Sequence, residues 1–350
     1  MNTKPIIIDG RTVGPDSPPY VICELSGNHN GSLDRALELI DAAAETGCDA
    51  IKIQTYTPDT MTIDSDLPSF RISGGLWDGR TLHDLYREAH TPYEWHAPLF
   101  ARAKERGVTI LSTPFDETAV DLLASLDCPV YKIASFEITD LPLIDYVARR
   151  RRPMIMSTGL ASLGEIERAV TTARAGGCDD IVLLHCISSY PAPTDQANVR
   201  TIPHLAQAFG VQVGLSDHTH GTTTSVAAVA LGATVIEKHF TLARSDGGPD
   251  AAFSLEPDEF RRLTTDCRDA WRALGEVSYQ LQPAEKQNIV FRRSLYAVRD
   301  IAADELLGPD NVRSIRPGHG LAPRHLPDVI GKRARAPIAR GTPLAWQLFE

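Results

Sequence analysis

Histidines stand near both ends of the segment GLSDHTHGTTTSVAAVALGATVIEKHF, residues 214–240: His218 and His220 at one end, His239 at the other. Imidazole nitrogens bind metals, and two of them leave open positions for water and a substrate oxygen, as a catalytic centre needs. Each end of the segment reads as the close of an apolar strand, with a small-residue helix between. Adjacent strands lie about 4.8 Å apart, so His218 and His239 at matched heights can share one metal. His220 falls at the start of the helix and is expected to stand aside. Glu24 closes another apolar run and could join or orient the pair.

Two lysines carry a second signal. Lys52 stands between Ile51 and Ile53, and Lys132 between Tyr131 and Ile133. Side chains alternate faces along a strand, so apolar neighbours packed outward leave both lysines pointing inward. Buried ammonium groups need anions. An anionic ligand is favoured here over a structural ion pair. Thr113, Ser135, Ser157 and Ser216 close neighbouring runs and offer donors suited to phosphate or carboxylate oxygens. Gln54, Glu137, Ser188, Tyr190 and Asp250 also fall at or just beyond such ends. Glu237 and Lys238 sit on the strand end of His239 without an assigned role.

These residues need a frame that gathers strand ends. Eight apolar segments of strand length recur: 19–25, 49–54, 108–114, 129–135, 153–159, 180–186, 211–217 and 234–240. Amphipathic helical patterns fill the gaps at 32–47, 92–107, 116–126, 162–177 and 220–232. Ser32, Asp116 and Ser162 are expected N-caps, and Gly47, Gly107 and Gly176 expected stops. The alternation predicts an α/β fold, a (β/α)8 TIM barrel, with its active site at the C-terminal ends of the strands. An insertion at roughly 56–91, rich in Gly and aromatics, is a candidate substrate lid.

Residues 1–280 read as the barrel domain, with PIIIDGRTVG at 5–14 as a hairpin closing its bottom. QLQPAEKQN reads as a linker over 281–290, and 291–350 as a small β-rich domain close to the lower size limit for independent stability. The formal net charge of −10 argues against nucleic acid or an anionic membrane surface as partner. The basic run Arg149–Arg152 reads as a solvated helix cap. The six cysteines form no CxxC pair and read as reduced, buried thiols. No apolar run approaches the roughly 18 residues of a membrane span, and no signal-peptide core opens the chain, so a soluble cytoplasmic protein is expected.

ELSGNHNGS, AIKIQTYTPDTMT, LSTPFDETAVD, YKIASFEITD, MSTGLAS, LHCISSYPAP, VGLSDHT, IEKHFTL and GGPDAAFSL resemble the sialic acid synthase family in order and spacing. The tail from Arg293, with IRPGHG at 315–320, resembles that family's antifreeze-like (SAF) domain. GLWDGRTLHDLYREAHTPYEWH at 75–96 looks like the pseudaminic acid synthase branch, while Ser188 stands where some other branches carry Asn. The resemblance implies condensation of phosphoenolpyruvate with an open-chain amino-sugar aldehyde, in this branch 2,4-diacetamido-2,4,6-trideoxy-L-altrose. It implies a divalent metal, Mn2+ or alternatively Mg2+ or Co2+, at His218 and His239. Glu137 and Glu24 would be catalytic. Lys52, Lys132, Thr113, Ser135, Ser157 and Ser216 would hold phosphate and carboxylate. Asp250, Tyr190 and Gln54 would contact sugar or water, with Ser188 beside them. Arg316 would reach the partner's site in a domain-swapped homodimer.

Other acceptors, giving N-acetylneuraminate or legionaminate, are the nearest alternative. A metal-dependent aldolase or isomerase on the same barrel would release no phosphate. A catalytically silent sugar-binding protein would not need buried lysines together with paired histidines.

Overall fold

Val-, Ile- and Leu-rich runs buried on both faces can only form a covered parallel sheet. The computed structural model, which describes residues 3–350, shows that sheet closed on itself. An N-terminal hairpin, β1 (Ile6–Ile8) and β2 (Arg11–Val13), turns at Asp9 and Gly10, both at positive φ. The barrel strands follow: β3 (Tyr20–Glu24), β4 (Ala50–Thr55), β5 (Thr109–Pro114), β6 (Tyr131–Ile133), β7 (Met154–Ser157), β8 (Ile181–Cys186), β9 (Gln212–Asp217) and β10 (Val235–His239). All pair in parallel with their sequence neighbours, and β10 closes on β3. The hairpin lies at the N-terminal end of the strands: Thr109 at the start of β5 donates to Asp9, and Gln212 at the start of β9 donates to the Lys4 carbonyl.

The expected caps form. Ser32, Asp116 and Ser162 each accept a backbone N–H of the first helical turn, and Ser162 completes a capping box with Glu165. Gly47 and Gly107 end their helices at positive φ, but after Ala175 the reversal falls on Gly177 rather than Gly176. The long helix Pro257–Leu274 had no counterpart in the sequence reading. It buries Phe260, Leu263, Thr264 and Cys267, an i, i+3, i+4, i+7 stripe. Arg149 caps the helix Leu141–Ala148 and pairs with Asp145, as the solvated-cap reading has it. All six cysteines are free thiols.

The chain divides at Gly275 and Glu276 into two units. Of the stretch 281–290 read as linker, residues from Pro283 onward wind into largely exposed 3-10 turns that end at Phe291. The tail unit pairs β11 (Ser294–Ala297) with β12 (Val312–Ile315) in an antiparallel sheet, and otherwise uses single bridges such as Ile301 with Ile338. Its core gathers Leu295, Ile301, Leu307, Val312, Val329 and Leu344. Among the described residues no helix is long and apolar enough to cross a membrane.

Closure of the barrel beside β10 depends on Gly214. A Cβ built there would stand 2.1 Å from the Val235 carbonyl oxygen and 2.7 Å from Leu184. Gly214→Ala is expected to destabilise the barrel by about 1–3 kcal/mol or more, as overpacking does. Urea unfolding checks this; an unchanged midpoint contradicts it.

Candidate active site

Inward-facing side chains at the C-terminal strand ends meet in one cavity of about 600 Å³. Its floor is a chain of buried charges. Lys52 Nζ lies 2.6 Å from Glu24 Oε2 and 3.7 Å from Glu237 Oε1, and Lys132 Nζ lies 3.2 Å from the same Glu237 oxygen. Strand register builds this: Glu24 pairs with Lys52 across β3 and β4, and Glu237 with Ser216 across β9 and β10. Ser216 Oγ donates to Glu237 at 3.1 Å, and Gln54 Nε2 donates to Glu24 at 2.9 Å. Burial works against every charge here. Glu237 is nevertheless held below the usual carboxylate range by Lys132 and Lys52, and Lys52 is held above its usual value by Glu237 and Glu24. Burial prevails at Lys132, whose pKa is lowered, and at Glu24, whose pKa is raised.

Hydroxyls form a shelf beside the lysines. Gly159 N–H donates to Ser135 Oγ at 3.2 Å. A Cβ at Gly159 would fall 2.2 Å from Ser188 Oγ and 2.8 Å from Ser135 Oγ, so only glycine lets these hydroxyls converge. Ser157 Oγ, Glu137 Oε2, Glu237 Oε2 and His239 Nδ1 are buried without a hydrogen-bond partner among the described residues. Unsatisfied polar atoms around one cavity are the mark of a site built for a ligand. Glu137 sits at the rim on the turn Ser135–Glu137, and burial pushes its carboxyl up to about 7. Asp250 accepts from Ser26 and, at 3.4 Å, from Gly27 N–H, yet burial still raises its pKa.

His218 and His239 close the other side, their ring centroids 5.4 Å apart. His218 Nδ1 bonds the Ile187 carbonyl at 3.0 Å, which leaves Nε2 as the free nitrogen. Burial, with His218 and Lys52 nearby, holds His239 well below its usual pKa and so keeps it neutral. For His218, burial is outweighed by Cys186, whose sulfur lies 3.7 Å from Nδ1, and the pKa is raised. Tyr190 packs on His218 at 4.4 Å and Phe253 on His239 at 4.8 Å. Two imidazoles with free, buried nitrogens fit a two-nitrogen metal site. No group of three or more His, Cys, Asp or Glu arranged to hold a metal exists among the described residues, so other ligands would come from water or substrate.

The insertion after β4 supplies the apolar wall. Tyr56, Met61, Ile72, Leu76, Trp77, Leu82, Leu85 and Tyr86 line the cavity, facing Phe115 and Phe136. Trp77 Nε1 donates to the Pro249 carbonyl at 3.0 Å, tying the insertion to the loop that carries Asp250.

Of the residues singled out from sequence, Glu24, Lys52, Gln54, Lys132, Ser135, Glu137, Ser157, Ser188, Tyr190, Ser216, His218, His239 and Asp250 line this cavity. His220 is exposed and stands apart. Two expectations change. Thr113 is not among the residues that line the cavity; its Oγ1 accepts from Lys52 at 3.3 Å. Both lysines already have carboxylate partners, because Glu237 lies two residues before His239 on the same inward face. Arg316, expected to serve a partner chain's site, lies exposed in the tail unit. Glu237 is the site residue sequence reasoning passed over, and its spacing from His239 was the available signal.

Residues 39–279 match the NeuB family and residues 292–350 the SAF domain. The chain belongs to the NeuB family. It is 44% identical to the pseudaminic acid synthase of Campylobacter jejuni over 94% of this chain and 96% of that protein. Identity to the Helicobacter pylori pseudaminic acid synthase is 42%, over 94% and 97%. The crystal structure of N-acetylneuraminic acid (sialic acid) synthetase from Leptospira borgpetersenii, in complex with citrate, matches with a TM-score of 0.73 at 30% identity, covering 82% of this chain and 95% of that one.

Glu137 gives a signed pH dependence. Its carboxyl titrates at about 7 folded, against 4.5 for the free side chain. The folded chain therefore binds the extra proton between those values, and this group's contribution to stability falls as pH rises through the window. Glu137→Gln should raise the melting temperature relative to the unaltered chain at pH 8 more than at pH 5; the same difference at both values would remove the assignment.

Proposed function

We propose that the chain is a pseudaminic acid synthase, condensing phosphoenolpyruvate with 2,4-diacetamido-2,4,6-trideoxy-L-altrose and water to give pseudaminic acid and phosphate. The observation that carries this is one cavity with two lysines and a hydroxyl shelf at its floor, a histidine pair on one side and an apolar wall above. Phosphate and carboxylate oxygens suit Lys132, Ser135, Ser157 and the Gly159 turn. The wall suits an acceptor with a methyl at C6 and two acetyl methyls, which a more hydroxylated sugar would lack in part.

Phosphoenolpyruvate C3 forms the new bond to the acceptor aldehyde carbon, and positive charge develops at C2. Glu137, with a pKa near neutrality and a free oxygen, stabilises that charge or moves a proton. Water adds at C2 and phosphate leaves. His218 through Nε2 and His239 through a free ring nitrogen would hold a divalent metal such as Mn2+, which would supply Lewis-acid polarisation of the aldehyde oxygen. Asp250, Gln54 and Tyr190 orient the sugar and the water.

Charge balance supports a contribution from a second chain. Glu24 and Glu237 neutralise Lys52 and Lys132, so a multiply charged anion needs further positive charge. The metal supplies part. Exposed Arg316 of a partner chain supplies the rest in a domain-swapped homodimer, in keeping with a cytoplasmic biosynthetic enzyme.

Phosphate release from phosphoenolpyruvate, with a panel of amino sugars and with or without a chelator, tests the reading. Release is expected with the diacetamido-trideoxy acceptor and not after chelation; no phosphate under any condition sinks it. Glu137→Gln should lower kcat by about 10²- to 10⁴-fold. Arg316→Ala and His218→Ala should each be inactive alone but recover activity when co-expressed, since a mixed dimer holds one intact site. Absence of recovery would refute the shared site.

A further inference from the structure

Two side chains outside the cavity hold its histidines from behind. Asp217 and Lys238 are register partners on β9 and β10, and alternation turns them away from the cavity that Ser216, Glu237 and His239 line. Their side chains are 1% and 0% exposed, with Nζ 2.9 Å from Asp217 Oδ2. Lys238 Nζ also donates to the Thr219 carbonyl at 2.5 Å and lies 3.5 Å from the Asp217 carbonyl. Those two carbonyls flank His218, and Lys238 itself precedes His239. One ammonium group thus ties the backbone on both sides of one histidine to the backbone beside the other. Asp217 completes the clamp, accepting from Thr219 N–H at 2.9 Å, Thr219 Oγ1 at 2.7 Å and Ser225 Oγ at 2.6 Å.

Stability alone does not account for such a pair, since apolar residues of similar volume often replace a buried ion pair without loss. What the pair supplies is a fixed distance between two strand ends. We propose that Lys238 and Asp217 are positioning residues that set the separation and tilt of the His218 and His239 imidazoles, preorganising the two-nitrogen metal site. This rests on the metal reading above.

The test uses the full chain stripped of metal. Mn2+ alone is titrated calorimetrically, the visible spectrum of added Co2+ is recorded, and the metal-free melting temperature is measured on the same samples. Lys238→Met leaves the Asp217 charge buried and should lower both melting temperature and Mn2+ affinity. Asp217→Asn combined with Lys238→Met removes both charges. That double variant should regain most of the melting temperature while binding Mn2+ about tenfold or more weakly, with an altered Co2+ spectrum. Wild-type affinity and spectrum in the double variant overturn the inference. Should it fail to fold, Ser225→Ala, which removes one bond to Asp217 and strands no charge, is read the same way: weaker Mn2+ binding supports the clamp and unchanged binding overturns it. If the unaltered chain binds no Mn2+, or His218→Ala binds it equally well, the two-histidine reading fails and takes this inference with it.

Discussion

The buried chain Glu24–Lys52–Glu237–Lys132 is the constraint that the rest of the site obeys. Four ionisable groups without bulk water survive only if each has a partner at short range. Only a closed barrel brings strand ends from β3, β4, β6 and β10 to one point, and only strict alternation aims all four inward. Moving any one strand by one residue would turn its charge into the apolar helix layer. The register of the barrel and the charge pattern of the site are therefore one and the same specification.

The same constraint shapes what surrounds the chain. With its charges internally balanced, the floor presents ammonium hydrogens and hydroxyls without a large net field. Groups not absorbed into the chain stay unsatisfied: Ser157 Oγ, Glu137 Oε2 and His239 Nδ1. Burial keeps His239 neutral and Glu137 poised near neutrality, so desolvation, costly at the floor, is useful at the rim. The outer pair Asp217–Lys238, on β9 and β10, lies on the opposite face of the sheet from Glu237 of the inner chain.

Much of this was legible in the sequence because strands buried on both faces leave little ambiguity. Polar residues interrupting Ile- and Val-rich runs, such as Lys52 and Lys132, had to point inward, and the strand ends gave His218 and His239. What escaped was pairing. Whether Lys52 meets a ligand or Glu237 depends on register across distant strands, which no local pattern carries. Thr113 shares the inward face with its register partner Gln54, but its hydroxyl accepts from Lys52. The helix Pro257–Leu274 carries a regular apolar stripe, but it follows the eighth strand and so falls outside the strand–helix alternation that marks the barrel. The tail's sparse regular structure, single bridges around a small core, offers little periodicity to read.

The insertion between β4 and β5 stands apart from all of this. The floor draws on strand ends spread over most of the barrel, so altering its chemistry needs concerted changes at distant points of the chain. Much of the apolar wall comes from one contiguous stretch, from Tyr56 to Ala89, fastened at Trp77 to the Pro249 carbonyl. The apolar wall and the ionic floor thus occupy separable tracts of sequence. Rewriting that single loop would reshape most of the wall while leaving the ionic floor as it is.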